Sequence, residues 1–177
     1  MAGGELKKLS ISPCDVDESG NVSVKSDKFE VMLNPSSYSH SRSIKYNKTK
    51  AQGQIGSDLK FEAVGDEKVS FDLVIDGTGV VPAATQGGSV DDVKTQLQSL
   101  TDIVYAYSGE KHEPNHVRLL WGSLIFYGRL ESMSVDYTLF KPSGEPLRAK
   151  VKLAFVDFMT SEEETLRANR SSPDLTH

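Results

Sequence analysis

Residues 134–158, SVDYTLFKPSGEPLRAKVKLAFVDF, alternate between apolar and polar side chains on both sides of a short turn. A period of two indicates β-strands with one buried face. Pro and Gly in KPSGEP favour a turn between two such strands. With Met133 just before it, the stretch predicts a β-hairpin whose core side holds Met133, Val135, Tyr137, Leu139, Leu147, Ala149, Val151, Leu153 and Phe155 and whose other side holds Asp136, Arg148, Lys150 and Lys152.

The alternation also predicts how the two strands of this hairpin pair. We expect a register that places Leu139 opposite Leu147 and Asp136 opposite Lys150, because it keeps both apolar sets on one face. Opposite charges that face each other across two strands contribute about 0.2–1 kcal/mol. A slip of one residue would turn the apolar face of one strand into water.

Composition indicates a single globular domain without a basic nucleic-acid surface. The chain has 177 residues, a formal net charge of -5 and one cysteine. Cys14 is therefore predicted to be a spectator thiol near a flexible amino terminus. No apolar run approaches the length of a transmembrane helix, so we expect no direct membrane insertion. The start, MAGGELKK, lacks the apolar core of a signal peptide, which predicts folding in a reducing cytoplasm.

The remaining periodic segments predict a mainly β protein with one α-helix. The pattern predicts strands at residues 28–35, 68–76 and 117–140. In the first of these, Phe29, Val31 and Leu33 should point inward. The last should consist of two strands that meet near Gly128. Residues 89–108 predict an amphipathic helix capped by Ser89, with an apolar stripe of Val93, Leu97, Leu100, Val104 and Tyr107. We expect six or more mostly antiparallel strands in a barrel or sandwich flanked by this helix, with Trp121 packed in the core or sheet.

Residues 36–60 form a long polar segment that supplies almost no core material and is basic up to Asp58. It fits either a two-stranded extension or a mobile loop. An exposed strand edge risks aggregation unless a specific partner covers it. The segment is therefore predicted to be an extended arm at a subunit interface, with contact residues Tyr38, Arg42, Lys45, Tyr46 and Lys48.

We find no convincing catalytic or metal-binding motif in the sequence. Residues 112–116, HEPNH, match the zinc pattern H-E-x-x-H, but Pro114 is incompatible with the helix that this motif requires. Residues 15–20, DVDESG, resemble the start of a calcium loop, yet position twelve would be Ser26 and not Glu. We therefore predict a turn there, no cofactor, and a structural or interaction protein that is not an enzyme.

Three segments together resemble the tube-domain family of contractile injection systems, the phage-tail-like particles of bacteria. They are FEVMLNPSSYSHSRSIKY (29–46), GDEKVSFDLVIDGTG (65–79) and residues 117–155, which contain Trp121-Gly122 and the turn LFKPSGEPLRA. Among family members, the baseplate adaptor that carries a LysM domain is the most similar. The resemblance implies a phage tail-tube-like domain over residues 1–160 and a linker over 161–177 toward a LysM domain that this chain lacks.

The same resemblance implies a function in assembly. The chain would form a homo-hexameric ring, as a tube initiator or adaptor that joins the spike hub to the inner tube and contacts baseplate wedge proteins. The ring would be part of a particle made in the bacterial cytoplasm and retained there or released. The hairpin charges Asp136, Arg148, Lys150 and Lys152 would face the lumen or an adjoining ring. Two alternatives stay open: the repeating inner tube protein itself, and a small carbohydrate- or ligand-binding β-domain.

Overall fold

The computed structural model describes residues 4–48, 59–84, 88–105 and 113–157. Within these residues the chain folds into eight β-strands and one α-helix. The elements in chain order are β1 (Ser10–Val16), β2 (Val22–Val24), β3 (Phe29–Glu30), β4 (Tyr38–Lys48), β5 (Leu59–Asp76), α1 (Val93–Val104), β6 (His116–Trp121), β7 (Leu124–Phe140) and β8 (Pro146–Asp157).

All pairs of neighbouring strands are antiparallel and belong to one sheet, in the order β2-β1-β6-β7-β8-β5-β4, with β3 also paired to β1. This confirms the prediction of a mainly antiparallel β fold with one helix. The sheet curls strongly. Three strands separate β4 from β6 in the sheet, yet Tyr38 on β4 packs against Trp121 on β6, with 6.1 Å between ring centroids. Its backbone pairing nevertheless does not close into a barrel among the described strands.

The core lies between the concave face of the sheet and α1. Val93, Leu100 and Val104 of the helix are fully buried, and α1 contacts β1, β5 and β8. Alternate residues of the strands fill the other side of this core: Ile11, Val69, Phe71, Leu73, Ile75, Val117, Leu119, Ala149, Val151, Leu153 and Phe155. The period-two pattern of the sequence therefore identified the buried face of the central strands.

The predicted register of the hairpin is correct over its middle and wrong near its turn. Asp136 lies opposite Lys150, as expected, and the same register runs from Ser132 to Tyr137. Beyond Tyr137 an irregularity shifts the pairing, so that Leu139 lies opposite Arg148 and not Leu147. Bulges of this kind increase the local twist of a strand pair and are common near the ends of sheets.

The predicted helix was too long at its amino-terminal end. The structure begins α1 at Val93, and the side chain of Asp92 caps it by accepting a hydrogen bond of 2.7 Å from the backbone N–H of Thr95. Ser89 therefore does not cap the helix, because it lies three residues before the actual cap. Residues 106–108 of the prediction lie outside the described residues.

Three further expectations about single positions need correction. Cys14 lies in β1 and is buried, so it is not part of a flexible terminus. Leu33 follows β3 and is exposed, whereas Val31 is buried as predicted. The turn between β6 and β7 lies at Gly122-Ser123, and β7 runs through Gly128 without interruption. Gly122 adopts φ 58°, a left-handed conformation that glycine tolerates without a Cβ clash.

Candidate interface surfaces

The arm is defined here as β4 together with residues 59–67 of β5. These two segments pair with each other from Arg42 opposite Glu67 to Lys48 opposite Leu59. Of the two interpretations left open for residues 36–60, the two-stranded extension is correct where the structure describes them. Residues 59–67 have no partner on β8, whose pairing with β5 starts at Lys68. The arm therefore projects from one end of the sheet, with β4 as an edge strand of eleven residues.

The base of the arm is packed into the protomer. Tyr38 stacks on Phe71 with 5.8 Å between ring centroids and an interplanar angle of 7°, and its ring meets Trp121 edge-on. Burial raises the pKa of the Tyr38 hydroxyl, and the nearby charge of Glu67 adds to this shift. The indole Nε1 of Trp121 donates to the backbone carbonyl of Lys7 at 3.2 Å. These contacts anchor the arm to the core.

The middle of the arm holds a small polar cluster around Glu67. The side chain of His40 contacts Oε1 of Glu67, and Nε of Arg42 lies 3.2 Å from the same oxygen. The His40 ring also lies edge-on to Phe126, with 6.0 Å between centroids. Both cross-strand partners of Glu67 thus come from β4, which ties the two strands of the arm together.

The outer part of the arm carries exposed apolar side chains. Ile44 and Tyr46 are 54% and 52% exposed. They lie beyond Arg42, where the pairing of β4 with β5 is irregular, first between Arg42 and Ile44 and again between Lys45 and Tyr46. Lys45, between them, is also exposed. No part of the described protomer covers this apolar pair, which is the pattern of a surface that a partner covers.

The four predicted hairpin charges do not form one uniform exposed patch. Nε of Arg148 donates to Oδ2 of Asp76 at 2.7 Å, and Asp76 is fully buried. Lys150 lies opposite Asp136 on β7, yet its Nζ forms an ion pair with Asp72 of β5 at 3.4 Å. The hairpin sequence alone could not indicate these partners, because β5 becomes the second neighbour of β8 only in the folded sheet.

The other two charges, Asp136 and Lys152, make no ion pair within the described residues and are exposed. Lys152 lies opposite Ser134 on β7 and Asp72 on β5. They occupy the face of the sheet that is turned away from α1. Asp136 and Lys152 are therefore the hairpin charges that remain available for contacts outside the protomer.

A groove between α1 and the tip of the hairpin was not anticipated from the sequence. It has a volume of about 560 Å³, and its apolar surface comes from Leu97 on the helix and from Tyr137, Phe140 and Pro146 on the hairpin. Tyr137 and Phe140 are 48% and 53% exposed. The alternation predicted that Tyr137 faces the core side, and it does, but α1 leaves this end of the hairpin uncovered.

The two motifs considered for metals adopt other structures. Pro114 forms an isolated β-bridge with Tyr105, and His116 begins β6, so residues 113–116 are not helical. Asp17 closes the turn between β1 and β2, with Oδ1 accepting from the N–H groups of Ser19 and Asn21. Residue 112 lies outside the described part of the chain.

Within the described residues, no helix has the length and apolarity that crossing a bilayer requires.

Among curated proteins, no sequence matches the chain significantly. One solved structure that resembles it is the Dit protein of phage SPP1, described as a hub of the adsorption apparatus in phages that infect Gram-positive bacteria. That similarity has a TM-score of 0.49 at 14% identity and covers 85% of this chain and 49% of the Dit chain, so the chain spans about half the length of Dit.

The family model of the contractile injection system tube protein matches residues 5–166, which include every described strand and α1. The match agrees with the resemblance found in the segments around residues 29–46, 65–79 and 117–155. The chain belongs to the contractile injection system tube protein family.

Proposed function

We propose that this protein forms a hexameric ring that initiates or adapts the inner tube of a contractile injection system, joining the spike hub to the tube. It acts through architecture and not through catalysis. Its edge strands and matched charges present a template onto which the first ring of tube protein adds. The particle would be made in the bacterial cytoplasm and could then be released.

The observation that carries this proposal is the exposed arm. β4 is a long edge strand that extends past the sheet, and such an edge invites pairing with another chain. Ile44 and Tyr46 lie on it without cover from the described protomer. Removing half of a large apolar side chain from water contributes roughly 1 kcal/mol, so six copies of the arm would add up to a substantial interface.

The sheet face turned away from α1 supplies the second contact surface in this proposal. Asp136 and Lys152 would face the lumen or an adjoining ring, whereas Arg148 and Lys150 would mainly support the protomer through Asp76 and Asp72. The partners would be the inner tube protein, the spike hub and the baseplate wedge proteins.

Two features favour an adaptor over a repeating tube subunit. From the segments 29–46, 65–79 and 117–155, the sequence predicts an adaptor of the kind that carries a LysM domain. Residues 161–177 are largely polar, as in a linker to a further domain, for which a repeating tube subunit has no use. Copy number separates the two functions, because an initiator ring contributes six chains per particle and a tube contributes hundreds.

A reconstruction of intact particles tests the proposal directly. We expect six copies in one ring between spike and tube. A tube-long array of copies would overturn the adaptor function in favour of the tube protein. A monomer in the particle, with an arm that touches no other chain, would overturn both functions.

A pair of variants tests the part played by the arm. Ile44→Ser with Tyr46→Ser should prevent incorporation into particles while the melting temperature of the protomer is retained. Val80→Ser is the matched control, because Val80 is 79% exposed but lies far from the arm in the sequence. Normal incorporation of the arm variant would contradict the proposal.

A further inference from the structure

We infer that residues 162–164, three consecutive glutamates, bind back onto Arg118 and Arg129 of the same chain, on the sheet face turned away from α1. The inference goes beyond the proposed ring and does not depend on it. The juxtaposition that carries it is a pair of cations without an acidic partner near the end of β8, the strand from which the acidic segment follows.

The strand register places the two arginines side by side. Both neighbours of Arg118 in β6 are fully buried in the core, so Arg118 points to the other face of the sheet. On β7, Leu130 packs against the core, and Arg129 just before it therefore points the same way as Arg118. Tyr127 lies directly opposite Arg118, which makes Arg129 its diagonal neighbour. Diagonal neighbours lie about 7–8 Å apart, within reach of long side chains.

The charge of this pair is not balanced inside the protomer. Neither arginine forms an ion pair or a side-chain hydrogen bond within the described residues, and the Nε atom of each is buried without a partner. Glu131 lies two positions beyond Arg129 on β7, but its Oε1 pairs with Nζ of Lys68 at 3.0 Å. Arginine stays charged at any pH that the fold survives, and a cation partly withdrawn from water is stabilised by an acidic partner. The pair is therefore a cationic site that lacks its carboxylate.

The acidic segment starts within reach of this site. β8 ends at Asp157, and the residue before it lies opposite Arg129. β6, which carries Arg118, is the next strand beyond β7. Because neighbouring strands lie about 4.8 Å apart, the two arginine positions are roughly 5 and 10 Å from the end of β8. The chain from Asp157 to Glu162 spans up to about 17 Å when extended, so residues 162–164 can turn back across β7 and reach both.

Charge and tethering together favour this occupant over a separate acidic partner. Three carboxylates meet two guanidinium groups, each of which can bind a carboxylate through two N–H groups. A tethered segment acts at an effective concentration of about millimolar, without a second molecule. Binding of residues 162–164 would fix the face of the sheet from which residues 165–177 leave the protomer. The polar segment proposed as a linker would then start in a defined direction.

Zero-length crosslinking of the whole chain tests this inference. Arg129→Lys keeps the charge and adds an amine that a carbodiimide joins to a touching carboxylate. We expect products between this new lysine and residues 162–164, identified by mass spectrometry. Lys152 is the internal control, because it is exposed on the same face of β8 and lies about as far from Asp157 as the segment can reach. Product at position 129 should exceed product at Lys152 roughly tenfold, the ratio that a preference of ~1.4 kcal/mol gives.

Two additions identify the contact more closely. A mixture of isotope-labelled and unlabelled chains separates products within one chain from products between copies. Adding Arg118→Gln to Arg129→Lys should reduce the product, because it removes one of the two cations. Melting temperatures show whether each variant is folded, and Arg118→Lys provides the same test if Arg129→Lys does not fold.

Three results would overturn the inference. Products of the new lysine with Glu131 and none with residues 162–164 would show that the segment does not bind the pair. Equal amounts of product at position 129 and at Lys152 would show that the arginines do not select the segment. Products only between labelled and unlabelled chains would assign the site to a second copy. None of these results decides whether a ring forms, so the proposed function is tested separately.

Discussion

The Nε atom of Arg148 lies 2.7 Å from Oδ2 of Asp76, and the carboxylate that it contacts is completely buried. Asp76 also accepts a hydrogen bond of 2.8 Å from the N–H of Thr78 at Oδ1, while its backbone carbonyl accepts from Nε2 of Gln96 at 3.1 Å. One residue thus connects the end of β5 to the hairpin, to the following loop and to α1. Through Asp76, α1 is therefore linked to β8.

Removing Arg148 should destabilise the protomer, since it leaves Asp76 buried without its cation. We expect Arg148→Met to lower the free energy of unfolding by about 2 kcal/mol, less than the ~3–5 kcal/mol of a fully buried pair because Arg148 is partly exposed. Urea denaturation measures this difference. Lys152→Met, on the same face of β8 and without an ion pair in the described residues, should change it by no more than about 0.5 kcal/mol. An equal decrease in the free energy of unfolding for both variants would contradict a stabilising effect of the ion pair between Arg148 and Asp76.

The same carboxylate predicts a pH dependence of stability. Burial, the largest single influence, raises the pKa of Asp76, but hydrogen bonds from Thr78 and Arg148 and the charge of Arg148 outweigh it and lower the pKa below 3.8. A pKa that is lower in the folded state stabilises the protein above the unfolded-state value, and this stabilisation is lost as the pH falls through the folded-state value. The wild type should therefore lose more stability than Asp76→Asn on acidification below pH 3.8.

Urea titrations at a series of pH values measure this difference. Glu5 and Asp92 also have lowered pKa values, but both are present in the two proteins and cancel in the comparison. Parallel stability curves for wild type and Asp76→Asn would show that Asp76 does not titrate as the structure implies.

Gly128 is required by a close approach between strands. A Cβ atom at this position would lie 2.6 Å from the backbone oxygen of Val156 on β8, closer than real Cβ contacts. Gly128→Ala should lower the free energy of unfolding by about 1–3 kcal/mol through overpacking. Gly4→Ala is the matched control, because a Cβ there meets nothing within 4 Å. Thermal denaturation of both variants checks the prediction, and unchanged stability of Gly128→Ala would refute it.

The start of α1 provides a test of the observed cap against the one expected from sequence. Asp92→Ala removes the acceptor of the Thr95 N–H and should lower the melting temperature. Ser89→Ala should leave it unchanged, since Ser89 precedes the helix by more than one turn. The opposite order of effects would place the helix start at Ser89 after all.

Cys14 should be unreactive in the folded protein. Burial raises the pKa of its thiol, although the charge of Arg118 partly opposes this shift, so little thiolate is present near neutral pH. We expect a chromogenic disulfide reagent to react slowly with the native chain and rapidly in urea. Fast labelling without denaturant would mean that β1 opens locally.

The sequence by itself determined which residues of the central strands face the core and that one helix covers them. This was possible because the apolar residues on one face recur at every second position in a strand and at every third or fourth position in a helix, whatever the rest of the chain does. Val151, Leu153 and Phe155 are buried for this reason, as are Val93, Leu100 and Val104. The pairing of Asp136 with Lys150 followed from the same rule, since hairpin strands are neighbours in the chain.

Only the tertiary structure decided how the charges and the exposed apolar residues are used. Arg148 and Lys150 find Asp76 and Asp72 because β5 lies beside β8, although more than 70 residues separate the members of each pair along the chain. The groove arises because folding brings residues 92–101 beside the tip of the hairpin, where Phe140 stays exposed. The periodicity of a sequence shows which residues share one face of a strand or helix. Contacts between elements that are distant in the chain depend instead on the order of the strands in the sheet.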